Sequence, residues 1–325
     1  MANCAPCNSP AFLKFNRVCH YGKSNVIRRL EVGLRYFYEW ALLNIGAWTD
    51  ISLNMPTAAS GNASSLKVAN AYGYTDGQAW EGFRTNWVYE TGIIYTDYTG
   101  GTHTPLPTNV YLANVLQGTG TYSVNYNLGQ VIFNAAIPTT SNVKATYSFK
   151  NVQVYISDDL PWYQELQYQS WSPDTQMFTQ DDRGDWFVGG NHRVQFPCIV
   201  ITADNKGVKE PFSLGGGFCY RKQDVVFHIL CEDSVMRNNL ADLILEQGDK
   251  CIQLFDIDSA AANLDIPLDN NGMRVGKMYP YLLENYCWAT ARSENARLTS
   301  KTSYNCGLHD ATIKHTYSVL FSNLC

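Results

Sequence analysis

Apolar residues recur at Val26, Leu30, Leu34, Phe37, Ala41 and Ile45, spaced four, four, three, four and four apart. Residues at those spacings share one side of an α-helix, so the pattern predicts an amphipathic helix. Ser24 or Asn25 supplies an N-cap and Gly46 a stop. Arg28, Arg29, Arg35 and Glu39 fall largely off the apolar face and read as a solvated side. From Trp80 to Ile156 the period changes to two. Tyr122, Val124 and Tyr126 alternate, Asn127–Gln130 turns, and Val131 and Phe133 resume the alternation. Val143, Ala145, Tyr147 and Phe149 repeat it beyond Pro138–Asn142, and Val152, Val154 and Ile156 continue it. Such runs, punctuated by Gly and Pro, predict an antiparallel meander.

The rest of the chain mixes both periods. Residues 54–65 and 157–192 are turn-rich and polar and read as loops. Phe196–Thr202 and Phe218–Cys231 are strand candidates; the second is apolar on both parities from Val225 to Cys231, which predicts a central strand covered on both faces. Asp233 or Ser234 caps a helix running to Gln247, with Met236, Leu240, Leu243 and Ile244 inward and Gly248 at its end. Cys251–Ile257 and Glu284–Ala291 add strands. The last strand sets Ile313, His315, Tyr317, Val319 and Phe321 on one face against Thr312, Lys314, Thr316 and Ser318 on the other. The expected fold class is α+β: an antiparallel sheet packed by an N-terminal and a second helix, with a large all-β, sandwich-like insertion. The expected organisation is a flexible arm at 1–23, an α+β domain from 24–53 and 193–325, the β-rich insertion at 54–160 and a loop at 161–192.

Charge changes the picture. Only 16% of the 325 residues are charged, against an average of roughly 25% for soluble domains. Tyr (21) and Trp (8) are abundant. Interface cores are poor in Lys, Glu and Asp and rich in aromatics, so this balance points to an exterior that faces partners. The net charge of −5 comes with no basic run, which argues against direct nucleic-acid binding as the main task. The start carries no basic and apolar leader pattern, and no apolar run is long enough to span a bilayer, so synthesis in the cytosol is the expectation.

Candidate chemistry is sparse. There is no Gly-x-Ser-x-Gly elbow, and Gly215-Gly216-Gly217 precedes a strand candidate and lacks the Lys of a phosphate loop. Cys198, Cys219, Cys231, Cys251 and Cys287 lie in apolar strand contexts, where cysteine behaves as a small hydrophobe. Cys4, Cys7, Cys306 and Cys325 read as exposed residues able to cross-link subunits in an oxidising medium. Cys4, Cys7, Cys19 and His20 offer four ligand types zinc accepts, but adjacent Cys and His on an extended chain point apart. Asp158, Asp159, Asp181, Asp182 and Asp185 crowd a loop with Trp162, Trp171 and Trp186, as carboxylates and aromatic platforms do in sugar-processing enzymes. Nothing there fixes a separation between two carboxyls. His228 and His315 fall inside strands and read as core residues. No catalytic, cofactor-binding or metal residue is assigned.

Two stretches resemble virion proteins of tailed bacteriophages. Residues 120–156, GTYSVNYNLGQVIFNAAIPTTSNVKATYSFKNVQVYI, resemble a β-hairpin segment of phage structural subunits. Residues 210–256, EPFSLGGGFCYRKQDVVFHILCEDSVMRNNLADLILEQGDKCIQLFD, look like neck and tail-completion proteins, the tail terminators or connectors of contractile-tailed phages. The long insertion departs from the smallest tail terminators. The resemblance implies a non-enzymatic homo-oligomeric ring in the virion, in the neck or at the upper tail end. Its neighbours would be portal or adaptor, tail-tube, sheath or collar proteins, with DNA only as passing cargo and no membrane. Two rivals stand beside it: a collar, whisker or fibre-type protein that binds glycans or virion proteins through Tyr and Trp, and a carbohydrate-active enzyme using the 157–192 loop.

Overall fold

A computed structural model describes residues 25–57, 61–160, 162–163, 178–180, 186–188, 192–211, 219–303 and 307–321. The Cys4/Cys7/Cys19/His20 group, the expected arm at 1–23, Gly215-Gly216-Gly217, Cys306 and Cys325 lie outside these residues, as do Trp171, Asp181, Asp182 and Asp185. The fold is α+β, with several antiparallel sheets.

The chain opens with α1 (Val26–Asn44). Ten short strands follow: β1 (Trp48–Ile51), β2 (Lys67–Val68), β3 (Ala79–Glu81), β4 (Tyr95–Thr96), β5 (Thr102–His103), β6 (Asn109–Leu112), β7 (Val115–Leu116), β8 (Tyr122–Asn125), β9 (Gln130–Phe133) and β10 (Val143–Lys150). After them come β11 (Gln153–Ile156), β12 (Phe178–Gln180), β13 (Trp186–Val188), β14 (His192–Val194), β15 (Cys198–Pro211) and β16 (Cys219–Cys231). The chain continues through α2 (Ser234–Leu245), β17 (Cys251–Phe255), α3 (Ile257–Ala262), α4 (Tyr279–Asn285), β18 (Cys287–Ser303) and β19 (His309–Phe321).

Helix α1 forms where its periodicity predicts. The buried stripe is Val26, Leu30, Leu34, Tyr38 and Leu42, while Ile45 is exposed. Gly46 takes φ +84°, and the Gly46 and Ala47 amides donate to the Leu43 and Leu42 carbonyls, closing the helix. Asn25 is the N-cap by position, without a side-chain bond. The expected solvated side holds at Arg28, which is exposed, and in part at the half-buried Arg35, but Arg29 and Glu39 are buried, as is Glu31. Periodicity reports only where apolar atoms lie. Here elements pack round α1 on more than one side; Arg29 and Glu39 enter as ion pairs and Glu31 accepts the Ala203 amide, which offsets the cost of leaving water.

The main sheet has six strands in the order β11-β15-β16-β19-β18-β17. All neighbours are antiparallel except β11 and β15. One face carries Ile199, Ile201, Val225, Phe227, Ile229, Ile313, Tyr317 and Val319, packed by α1 and by Leu240, Ala241 and Ile244 of α2. β16 is central, as its two-sided apolar run requires, and β19 alternates as read. Gly33 marks the closest approach of α1 to the sheet: a Cβ there would meet Leu254 Cδ2 at 2.6 Å.

The β-rich segment forms two four-stranded sheets, β1-β10-β6-β7 and β2-β3-β9-β8, around Trp80, Trp87, Val110, Val131, Val143 and Tyr147. Trp87 stacks on Tyr147 with ring centroids 3.9 Å apart. Gln153–Ile156 does not continue this meander, because it pairs in parallel with β15 in the main sheet. Within and just after the stretch read as a loop, β12, β13 and β14 make a small sheet, and Trp186, Val188 and Val194 are buried with Cys198 and Val200 of β15. Three-residue strands are too short to show a period.

Candidate functional site

A buried group of ion pairs joins α1 to the β-rich segment. Glu39 comes from α1, Lys150 is the last residue of β10, and Glu90 follows a segment tied to β10 by the Val88 amide donating to the Ser148 carbonyl. The Lys150 ammonium lies 2.7 Å from Glu90 Oε1 and 3.4 Å from Glu39 Oε2, and all three side chains are buried. Arg35 Nε donates to Glu39 Oε1 at 3.2 Å. Tyr89 donates its hydroxyl to Glu39 at 3.4 Å, and its ring lies 4.5 Å from the Lys150 ammonium.

Burial alone pushes the Glu39 carboxyl up, but Lys150 and Arg35 outweigh it and hold it below its ordinary value. Burial pushes Glu90 up, and Glu39 adds to this although Lys150 opposes it. Burial also raises the Tyr89 phenol well above its ordinary value, so it is a protonated donor. A cleft beside the group is lined by Arg35, Asn86, Lys150, Gln153 and Tyr155, and Asn86 Nδ2 donates to the Tyr155 hydroxyl at 2.9 Å. Two cations bonded to two carboxylates form a clasp holding the β-rich segment to α1. Sequence reading missed it. The one local signal is a charge set inside an apolar run, Glu39 between Tyr38 and Trp40 and Lys150 after Phe149.

Trp162 and Trp186 are buried in the core under β15, so neither is a sugar platform. Asp158 and Asp159 are exposed in a 3-10 turn after β11. His315 is fully buried with Nδ1 3.0 Å from the Ser293 hydroxyl, and burial lowers both His315 and His228 to about 4. Cys198 and Cys231 are buried thiols, as expected. Cys251 and Cys287 are exposed, which corrects that reading: β17 is the outermost strand and Cys251 lies on its open side, while Cys287 begins β18. Met236 also turns outward, and Arg237 is buried instead, donating to the Thr302 carbonyl at 2.9 Å. The Asp233 cap forms as read, accepting from the Met236 amide at 3.0 Å. Among the described residues, no group of three or more His, Cys, Asp or Glu is arranged to hold a metal. No helix among them is long and apolar enough to cross a membrane.

A second feature is the way the main sheet ends. β11 pairs with β15 only over Cys198–Ile201, and β17 pairs with β18 only as far as Arg292. Among the described residues, the outer edge of β15 from Gly207 to Pro211 and that of β18 from Glu294 to Ser303 pair with no other strand. Free edges of this kind present unpaired amides and carbonyls to a further strand. No protein-family model matches the chain, and no curated protein is significantly similar to it.

Proposed function

We propose that this chain is a structural virion subunit that forms a ring in the neck or at the upper tail end of a tailed bacteriophage, joining head to tail. The observation that carries the reading is the main sheet with two edges that, among the described residues, no strand pairs. A sheet left open on both sides is a unit suited to continuation by sister copies. The charge-poor composition supports it, since surfaces poor in Lys, Glu and Asp favour partners over water. So does the resemblance of residues 120–156 and 210–256 to phage virion segments.

Light scattering on the purified chain, with negative-stain imaging, tests the proposal. A closed ring of identical copies is expected; a monomer at every concentration overturns it. A second reading has one specific support. Tyr72 and Tyr98 stand fully out of the surface, as aromatic contacts for a glycan or partner would. A compact trimer whose glycan binding is lost in Tyr72→Ala or Tyr98→Ala would favour that fibre-type reading.

A further inference from the structure

We propose that copies of this chain join head to tail, the free edge of β18 in one copy pairing with the free edge of β15 in the next to continue the sheet. This deepens the ring reading and rests on it. β15, β16, β19 and β18 alternate in direction, so β15 and β18 run opposite ways. A neighbour in the same orientation therefore offers its β15 antiparallel to β18. The outline also fits. β17 covers one end of β18, and β11 covers the opposite end of β15, so each edge is a step. A neighbour displaced along the strands fills the step below β17 and keeps its own β11 clear. Such a displacement closes into a ring when the strands tilt to the ring axis, as in barrels.

Charge selects this pairing over a two-fold one. Arg297 faces Lys314 across β18 and β19 and, like Lys301, has no ion-pair partner among the described residues. Two β18 edges paired with each other would add two Arg297 to one face and two Lys301 to the other, which like charges oppose. The β15 edge carries Glu210, 3.1 Å from Lys222, with Asp158, Asp159 and Glu31 grouped just before its free stretch, against Lys209. One register satisfies both chemistry and pleat. Glu210 faces Arg297 on the side away from the helices, Lys209 faces Leu298 on the helix side, and Val208 meets Thr299. Val208 and Leu298, both exposed in the single chain, become covered.

The test mixes full-length Val208→Cys with full-length Thr299→Cys under mild oxidation and maps disulfides by peptide mass. A 208–299 link between copies is expected from the mixture. Arg297→Glu, which sets like charge against Glu210, should weaken association about tenfold, more at low salt than at high, with the thermal midpoint of the single chain unchanged. An oligomer that forms without a 208–299 link overturns the edge pairing while the ring reading stands. A chain that stays monomeric overturns both.

Discussion

The Lys150 ammonium lies 2.7 Å from the Glu90 carboxylate, and both side chains are nearly sealed from solvent. Lys150 also serves Glu39, so one cation answers two buried anions on different elements. Removing one member of a buried pair leaves the other uncompensated, at about 3–5 kcal/mol. Lys150→Met is therefore expected to lower stability by that amount in urea unfolding, and Lys150→Met with Glu90→Gln to recover part of it. A single variant within about 0.5 kcal/mol of the parent, the scale of an ordinary surface substitution, would remove the clasp from the account.

Asp310 gives a pH prediction of defined sign. Burial raises its carboxyl from 3.8 to about 6, although Thr302 and Arg237 pull it down. A carboxyl whose folded value is raised favours folding fully below its unfolded value, and that contribution fades as pH rises through about 6. Asp310→Asn keeps an acceptor for Thr302 and has no charge to bury. It should be more stable than the parent at pH 7, on the order of 1–3 kcal/mol, and show no gain at pH 4. Equal stability of the two chains across that range contradicts the prediction.

The histidines act in the opposite sense. His228 is lowered from 6.5 to about 4 by burial, so its contribution is present above 6.5 and is lost as pH falls toward 4. His228→Phe should flatten the decline in thermal midpoint over that window and leave the plateau near pH 8 little changed. A decline as steep as the parent's would contradict it.

Leu264 lies just beyond α3 with φ +58°, its amide donating to the Ala261 carbonyl while the Asp265 amide donates to Ala260. Glycine suits that left-handed cap, and leucine there costs about 1–2 kcal/mol. The side chain is 74% exposed and repays little of that cost in burial. Leu264→Gly gives up some entropy advantage in the unfolded chain. It should still raise stability by roughly 0.5–1 kcal/mol in thermal melts. A drop would mean that Leu264 makes a contact that the exposed position hides.

The sequence by itself determined what depends on neighbours a few residues away. The 3.6-type spacing from Val26 to Leu34 gave α1, the Asp233 cap gave the start of α2, and strict alternation gave β10 and β19. The two-sided apolar run of Val225–Cys231 likewise announced a central strand. Tertiary structure decided the rest. Glu39, Glu90 and Lys150 meet from three separate segments, and no local pattern pairs them. Trp162 and Trp186 could stand in a site or in a core until β15 closed over them. The free edges depend on β11 and β17 being shorter than β15 and β18, a length mismatch that exists only once strands are placed side by side. Burial and pairing are properties of what lies opposite, and the chain meets its opposite only by folding.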